Sequence, residues 1–367
     1  MPANPKNIKD IDGPSRRVAA PAMKGPSMGD PFGFGASIST APIKAAAVTK
    51  MQAPSGPKFV WNLSTVPTLP EFHPLERSSV FVADTPPSVI AQRLSEVMRD
   101  RSIEASYDNA KAKIKCFTTD GVDFRIRLYR GRNLYSHGII VEVQRRFGTS
   151  LEFLNDTKAI LDAAEGKALP LPPASDTSRV ALPEVSDDEE DDGIRPPSGA
   201  STLIMVSKMM SLSGFDSQYL GLQVLSSLVD PERMCPKTSR SVALELLKAD
   251  NEVGNKVLMY ILSRKTDESS MTLRVMCLGI LANSMKASSL VPAFLRKPLR
   301  PVLLEDLKDS EAHPNTALYA ARCLEYYIRG DQDSTELNEA FEVALRVGEA
   351  RHNCLRQQAE RCIASIR

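Results

Sequence analysis

The apolar residues of this chain follow a period of two in residues 111–129 and a helical period throughout residues 201–367, and that split limits the fold more than any other feature. Ala112, Ile114 and Cys116 alternate with Lys111, Lys113 and Lys115. Phe124, Ile126 and Leu128 alternate with Arg125, Arg127 and Tyr129. A period of two builds half-buried strands. Beyond residue 201 the period becomes helical. Tyr219, Leu222, Leu225, Leu228 and Val229 form one stripe, and Leu273, Met276, Cys277, Ile280 and Leu281 a second. Ala317, Ala320, Ala321, Leu324, Tyr327 and Ile328 form a third, and Leu355, Ala359, Cys362, Ile363 and Ile366 a fourth. A single helix leaves such a stripe in water, so these helices must stack on one another. The fold class expected is therefore multidomain: an α+β module followed by an all-α solenoid, after a disordered arm.

Composition sets the boundaries. Residues 1–76 are rich in Pro, Gly, Ala and Ser and lack a sustained apolar period, which predicts a disordered arm. Two islands interrupt it. Asp30-Pro31-Phe32-Gly33 is similar to the short Asp-Pro-Phe peptides that endocytic adaptor appendages bind, although three residues recur often by chance. Phe59-Val60-Trp61 is expected to dock in cis as an anchor. Residues 77–166 read as the α+β module. Ser79–Val82 suggests a strand, and Thr85 can cap a helix that has Pro86 at its first position. Val89, Ile90, Leu94, Val97 and Met98 follow at helical spacing. Asp120-Gly121 marks a hairpin turn, Ile139, Val141 and Val143 another strand, and Phe153, Ile160 and Leu161 a closing helix. One sheet face would carry both helices and the other would face water.

Residues 167–200 form an acidic, Pro-rich linker. Ser186 precedes the run Asp187–Asp192, an acidic context that favours casein kinase two. Ser186 is thus a phosphorylation candidate, and a phosphate there adds about −1.5 to −2 charges. The run itself reads as a solvated spacer, with folding back over a basic surface as the alternative. In residues 201–367 similar helices open at Leu220, Leu273, Leu318 and Leu355, separated by 53, 45 and 37 residues. Irregular spacing near 40 is that of armadillo or HEAT repeats. Extended-peptide grooves of armadillo proteins carry an Asn ladder, often with Trp. Only Asn283 matches here, and Trp61 is the sole tryptophan.

Several function classes lose support. Net charge is +1, which predicts no nucleic-acid partner. No apolar run approaches the roughly 20 residues of a transmembrane helix, and the N-terminus lacks the apolar core of a secretory signal. The six cysteines form no C-x-x-C pair, and Cys277, Cys323 and Cys362 fall on apolar stripes. Reduced thiols and a cytoplasmic location, peripheral at membranes, are expected. His73, His137, His313 and His352 are scattered, no phosphate-cradling glycine loop occurs, and no kinase H-R-D or D-F-G is present. The expectation is a non-enzymatic chain without metal or cofactor.

One stretch points to a family. In residues 138–161, Val141, Val143, Gln144, Arg145, Gly148, Ser150, Phe153, Asn155, Ile160 and Leu161 fall on a recurrent pattern. This resembles the kinase-associated domain that closes MARK- and AMPK-related kinases. Thr149 replaces the usual acidic residue and Leu151 the frequent aromatic. The resemblance implies a binding module that takes anionic phospholipid through basic residues or docks onto a kinase domain. The basic residues on the water-facing side would be Lys111, Lys113, Lys115, Arg125 and Arg127, with Arg145 and Arg146 adding to the patch or merely capping the strand. Asp123, Glu142 and Gln144 dilute that face, and an exposed sheet face is polar in any case. The function expected is an adaptor, its helices holding a protein partner and its sheet an anionic membrane or a kinase. Alternatives are a regulatory subunit acting on a kinase in trans and a protein–protein scaffold without lipid binding.

Overall fold

A computed structural model describes residues 57–167, 199–289, 291–328 and 334–366. The Asp-Pro-Phe island, Ser186 and the acidic run lie outside the described residues. The described residues fall in one compact unit.

The expected order of strand, helix, antiparallel strands and helix is observed. Strands β1 (Ser79–Ala83), β2 (Glu104–Asp108), β3 (Lys113–Phe117), β4 (Asp123–Arg130) and β5 (Gly138–Phe147) pair antiparallel in the order β1-β5-β4-β3-β2. Helices α1 (Pro87–Asp100) and α2 (Ser150–Glu165) pack on one face. The alternation places Ile114, Phe124, Ile126, Leu128, Val141 and Val143 against Ile90, Leu94, Met98 and Ile160, all buried. Burying each such side chain contributes about 1.5–3 kcal/mol. Helix α1 starts one residue later than expected. Pro86 is its N-cap and Pro87 its first residue, while the Thr85 hydroxyl donates to the Ala83 carbonyl. Val89 faces outward, because the buried stripe runs through Ile90, Ala91, Leu94 and Val97.

Two corrections concern the arm and the open sheet face. Residues 57–76, expected within a disordered arm, pack on the module. Trp61 is buried; its backbone N–H donates to Ser95 Oγ at 2.8 Å and its indole N–H to Asn109 Oδ1 at 2.6 Å. It thereby anchors in cis, as expected. Further on, Leu69 N–H donates to the Arg130 carbonyl, and His73 Nε2 lies 3.3 Å from Glu142. Residues 67–76 therefore cover the β5 end of the face expected to meet water. Glu142 is buried there and accepts from the Glu76 N–H at 2.9 Å.

The remaining chain is helical: α3 (Gly199–Met210), α4 (Phe215–Val229), α5 (Pro236–Leu246), α6 (Glu252–Ser263), α7 (Glu268–Ser288), α8 (Ala293–Lys308), α9 (Pro314–Ile328), α10 (Ser334–Arg351) and α11 (Asn353–Ile366). The four stripes read from the sequence belong to α4, α7, α9 and α11, which pack in that order as one layer. Helices α3, α5, α6, α8 and α10 pack against that layer, and α10 also meets α1 of the module. Asn251 and Asp267 cap α6 and α7 by accepting from backbone N–H groups three residues on. Between α7 and α8 the buried Arg274 guanidinium donates to both oxygens of Asp306, at 2.8 and 2.6 Å. Cys277, Cys323 and Cys362 are buried in the helical core, and burial pushes their thiols up, that of Cys362 to about 12.

The module is docked on the inner layer. Its β3–β4 turn is closed by Gly121 at φ +79°. That turn presents carbonyls to the helices: Tyr219 Oη donates to Gly121 O at 3.2 Å and Tyr319 Oη to Thr119 O at 2.9 Å. Asn315 Nδ2 donates to Phe117 O at 2.9 Å, and Asn315 N–H donates to Glu104. Behind Asn315, His352 Nδ1 accepts from Leu355 N–H at 3.2 Å, so Nε2 carries the proton donated to Asn315 Oδ1 at 3.0 Å. Cys354 N–H donates to Ser102 Oγ, and Phe147 packs at 4.3 Å on Tyr219.

Asn315→Ala leaves the Phe117 carbonyl and the His352 N–H without partners, each costing about 1–3 kcal/mol. A lower denaturant midpoint with one shared transition for module and helices is expected; two separate transitions in the unsubstituted protein would contradict the docking. His352 adds a pH signature. Burial, with Arg322 nearby, lowers its pKa from 6.5 to about 4. A depressed pKa means that its contribution is complete above 6.5 and is lost as pH falls toward 4. His313 shifts the other way through the Glu104 carboxylate 3.7 Å from its Nδ1, so its contribution is present at low pH and lost as pH rises through its raised pKa. The stability difference between the protein and His352→Gln should therefore shrink as pH is lowered from 6.5 to 4, as read by urea melts. A difference independent of pH would contradict the neutral, buried imidazole.

Candidate anion-binding site

Strands β3 and β4 place four cations in register. Lys113 stands directly opposite Arg127, and Lys115 opposite Arg125. Lys111 lies just before β3, where Asp108 Oδ1 accepts its backbone N–H. All five point away from the apolar face, because Ala112, Ile114, Cys116, Phe124, Ile126 and Leu128 take the inward positions. The structure brings these five sequence-identified residues together.

Among the described residues, none of the five has a carboxylate oxygen within the 4.0 Å of an ion pair. Arg127 lies opposite Glu142, yet that carboxylate is held by His73 and the Glu76 N–H. Arg127 instead donates to Tyr129 Oη at 3.3 Å. Partial burial, then Arg125, Lys115, Arg127 and Lys111, hold the Lys113 ammonium below the ordinary lysine value. Like charges directly opposed on neighbouring strands destabilise a sheet. An anion spanning them would reverse that repulsion.

Arg145 and Arg146 do not join the group. Arg145 donates to Gly148 O at 2.9 Å and Ser150 Oγ at 2.8 Å, so it ties strand β5 to the start of α2. Arg146 is the extra residue of a bulge, since Phe124 pairs with Arg145 and Asp123 with Phe147. Its cation acts on Asp123 rather than on the β3 lysines. The alternation ends before the bulge, so Arg145 takes the strand-capping alternative of the two read from the sequence.

The inner helices line a second concavity of about 490 Å³ beside the β3–β4 turn. Asn283 lies in it, as does Arg322, stacked 5.2 Å from the Tyr319 ring. Its other polar groups largely serve one another. Lys286 pairs with Glu232, Gln358 donates to Glu325, and Arg361 donates to Gln358. Thr119, Asp120 and Gly121 close its module side. An extended peptide laid along these helices would meet that turn. Tyr219, Asn315 and Tyr319, which fix the turn, carry no motif in the sequence.

Among the described residues no cluster of His, Cys, Asp and Glu is gathered for a metal ion, and no helix is long and apolar enough to cross a membrane. No family model matches the chain, and no curated protein matches it.

Replacing Arg125 by Glu converts the opposition with Lys115 into an attraction. Stability at low salt should rise by about 0.2–1 kcal/mol and the gain should fade in high salt. A loss of stability in a urea melt would show that Arg125 has a structural role instead.

Proposed function

We propose that this protein is a non-enzymatic adaptor whose β3–β4 face binds an anionic phospholipid surface. The observation that carries the reading is the set of opposed cations, Lys113 with Arg127 and Lys115 with Arg125, with no carboxylate oxygen within 4.0 Å among the described residues. Lys111 extends the set. Basic residues near an anionic leaflet contribute about 1 kcal/mol each, so five together give salt-sensitive, reversible recruitment. The resemblance of residues 138–161 to the kinase-associated domain supports the same assignment, since members of that family bind such lipids. The paired helices α3/α4, α8/α9 and α10/α11, with α5–α7 between them, support an armadillo- or HEAT-like array that holds a protein partner.

Co-sedimentation of the full chain with phosphatidylserine-containing vesicles tests the reading. Binding is expected at low salt, weaker at physiological salt, and reduced by roughly a thousandfold in Arg125→Glu/Arg127→Glu, which removes two attractions and adds two repulsions. Absence of binding at low salt would remove the lipid role. The family resemblance then favours the kinase-directed alternative, with inhibition of a kinase in trans as its readout.

A further inference from the structure

Large apolar side chains stand in water beside the cationic face. Phe72 is 91% exposed and Leu134 is 85% exposed, with Tyr135 also exposed. Most exposed apolar residues need no explanation when scattered singly. These are not scattered. Residues 67–73 run beside the end of β4. Leu69 N–H donates to Arg130 O, Arg130 N–H donates to Pro67 O, and the His73 ring lies 5.2 Å from that of Tyr129. Tyr129 shares its face with Arg125 and Arg127, and Phe72 immediately precedes His73. Leu134 lies four residues beyond Arg130, on the loop joining β4 to β5. The β3 lysines reach the same end, since Leu128 N–H donates to Ala112 O, next to Lys111.

The loop is built to present its tip. Gly131 N–H donates to Gly138 O at 3.1 Å, closing its base. A Cβ at Gly131 would come within 2.1 Å of the Tyr135 carbonyl, so only glycine permits this turn. Tyr135 and His137 both pack edge-on against Phe81 at 5.1 Å. Asn133–Tyr135 form a single 3-10 turn with Leu134 at its crest. A preorganised apolar crest loses little further entropy on entering a second phase. Arg130 and Arg132, both exposed, flank it with positive charge.

We propose that Leu134, Tyr135 and Phe72 form an apolar wedge that enters the hydrocarbon boundary of an anionic bilayer while the β3–β4 cations hold its headgroups. This rests on the membrane reading above and fixes the orientation of docking: the end of the sheet carrying Arg130 faces the bilayer. Cations and apolar crest act on two layers of one bilayer, headgroup and acyl boundary. A membrane is the occupant chosen because the positive charge surrounds the apolar crest.

The full chain is mixed with phosphatidylcholine vesicles containing phosphatidylserine. Phe72→Ser/Leu134→Ser should bind about tenfold or more weakly at physiological salt, given the apolar area withdrawn from water, while keeping the salt dependence of the original. Both residues are exposed, so an unchanged thermal melt is the folding control. In Leu134→Trp the new indole should shift its emission to shorter wavelength on adding vesicles and be quenched by brominated acyl chains. The buried Trp61 supplies a constant background. Unchanged affinity and no emission shift, with Arg125→Glu/Arg127→Glu still abolishing binding, would overturn the wedge and leave the electrostatic reading intact. No sedimentation of the original chain at low salt would overturn both. A dimer in the absence of vesicles that Phe72→Ser/Leu134→Ser dissociates would assign the patch to a second copy and overturn the wedge.

Discussion

The buried hydrogen bonds from His352 through Asn315 to the Phe117 carbonyl decide what kind of molecule this is. They are the most buried part of a seam that Tyr219, Tyr319 and Cys354 also hold by hydrogen bonds to the module. With them the β3–β4 turn is seated on α4 and α9, and the described module and helices fall in one compact unit. The interaction is demanding because every group in it is buried or partly buried and each has one fitted partner. Buried polar groups cost several kcal/mol when unpaired, so such a network admits one arrangement and rejects nearby ones. Aromatic packing of Phe147 on Tyr219 then adds apolar area to the same seam.

That seating has consequences for function. The turn that anchors the module belongs to the same two strands that carry Lys113, Lys115, Arg125 and Arg127. The anchored end of the β3–β4 hairpin is Phe117 to Gly121, while Lys113 and Arg127 lie toward the far end, beyond which come Lys111 and Arg130. The docking therefore leaves that end of the strands free while fixing its direction relative to the helices. A ligand at the cations would be held at a set angle to whatever the helices hold. Rigidity of this sort suits an adaptor, because it converts recruitment into orientation.

The sequence made the apolar half of this structure legible and left most of the polar half obscure. Phe124, Ile126 and Leu128 are all fully buried, as their period of two required, and the four helical stripes belong to four helices that stack as one layer. The five cations of β3 and β4 were legible for the same reason: they are the other phase of the same alternation. Docking was not legible. Asn315 and His352 each look like one polar residue in a helix, and their partner, Phe117, contributes only a backbone carbonyl. Arg145 and Arg146, which the sequence left between patch and strand cap, lie where a bulge in β5 breaks the alternation opposite Asp123 and Phe124. The covering of β5 by residues 67–76 was hidden in Pro-rich text without a period, where contacts such as His73 with Glu142 leave no pattern to read.

Hydrogen–deuterium exchange of the full chain, with and without phosphatidylserine-containing vesicles, tests the proposed membrane-facing orientation of the sheet most directly. Protection on vesicle binding should appear in residues 111–117, 123–137 and 68–76, with the backbone of α4, α7 and α9 unchanged. Protection confined to the helices, with β3, β4 and the β4–β5 loop unaffected, would contradict the assignment of this face to an anionic membrane.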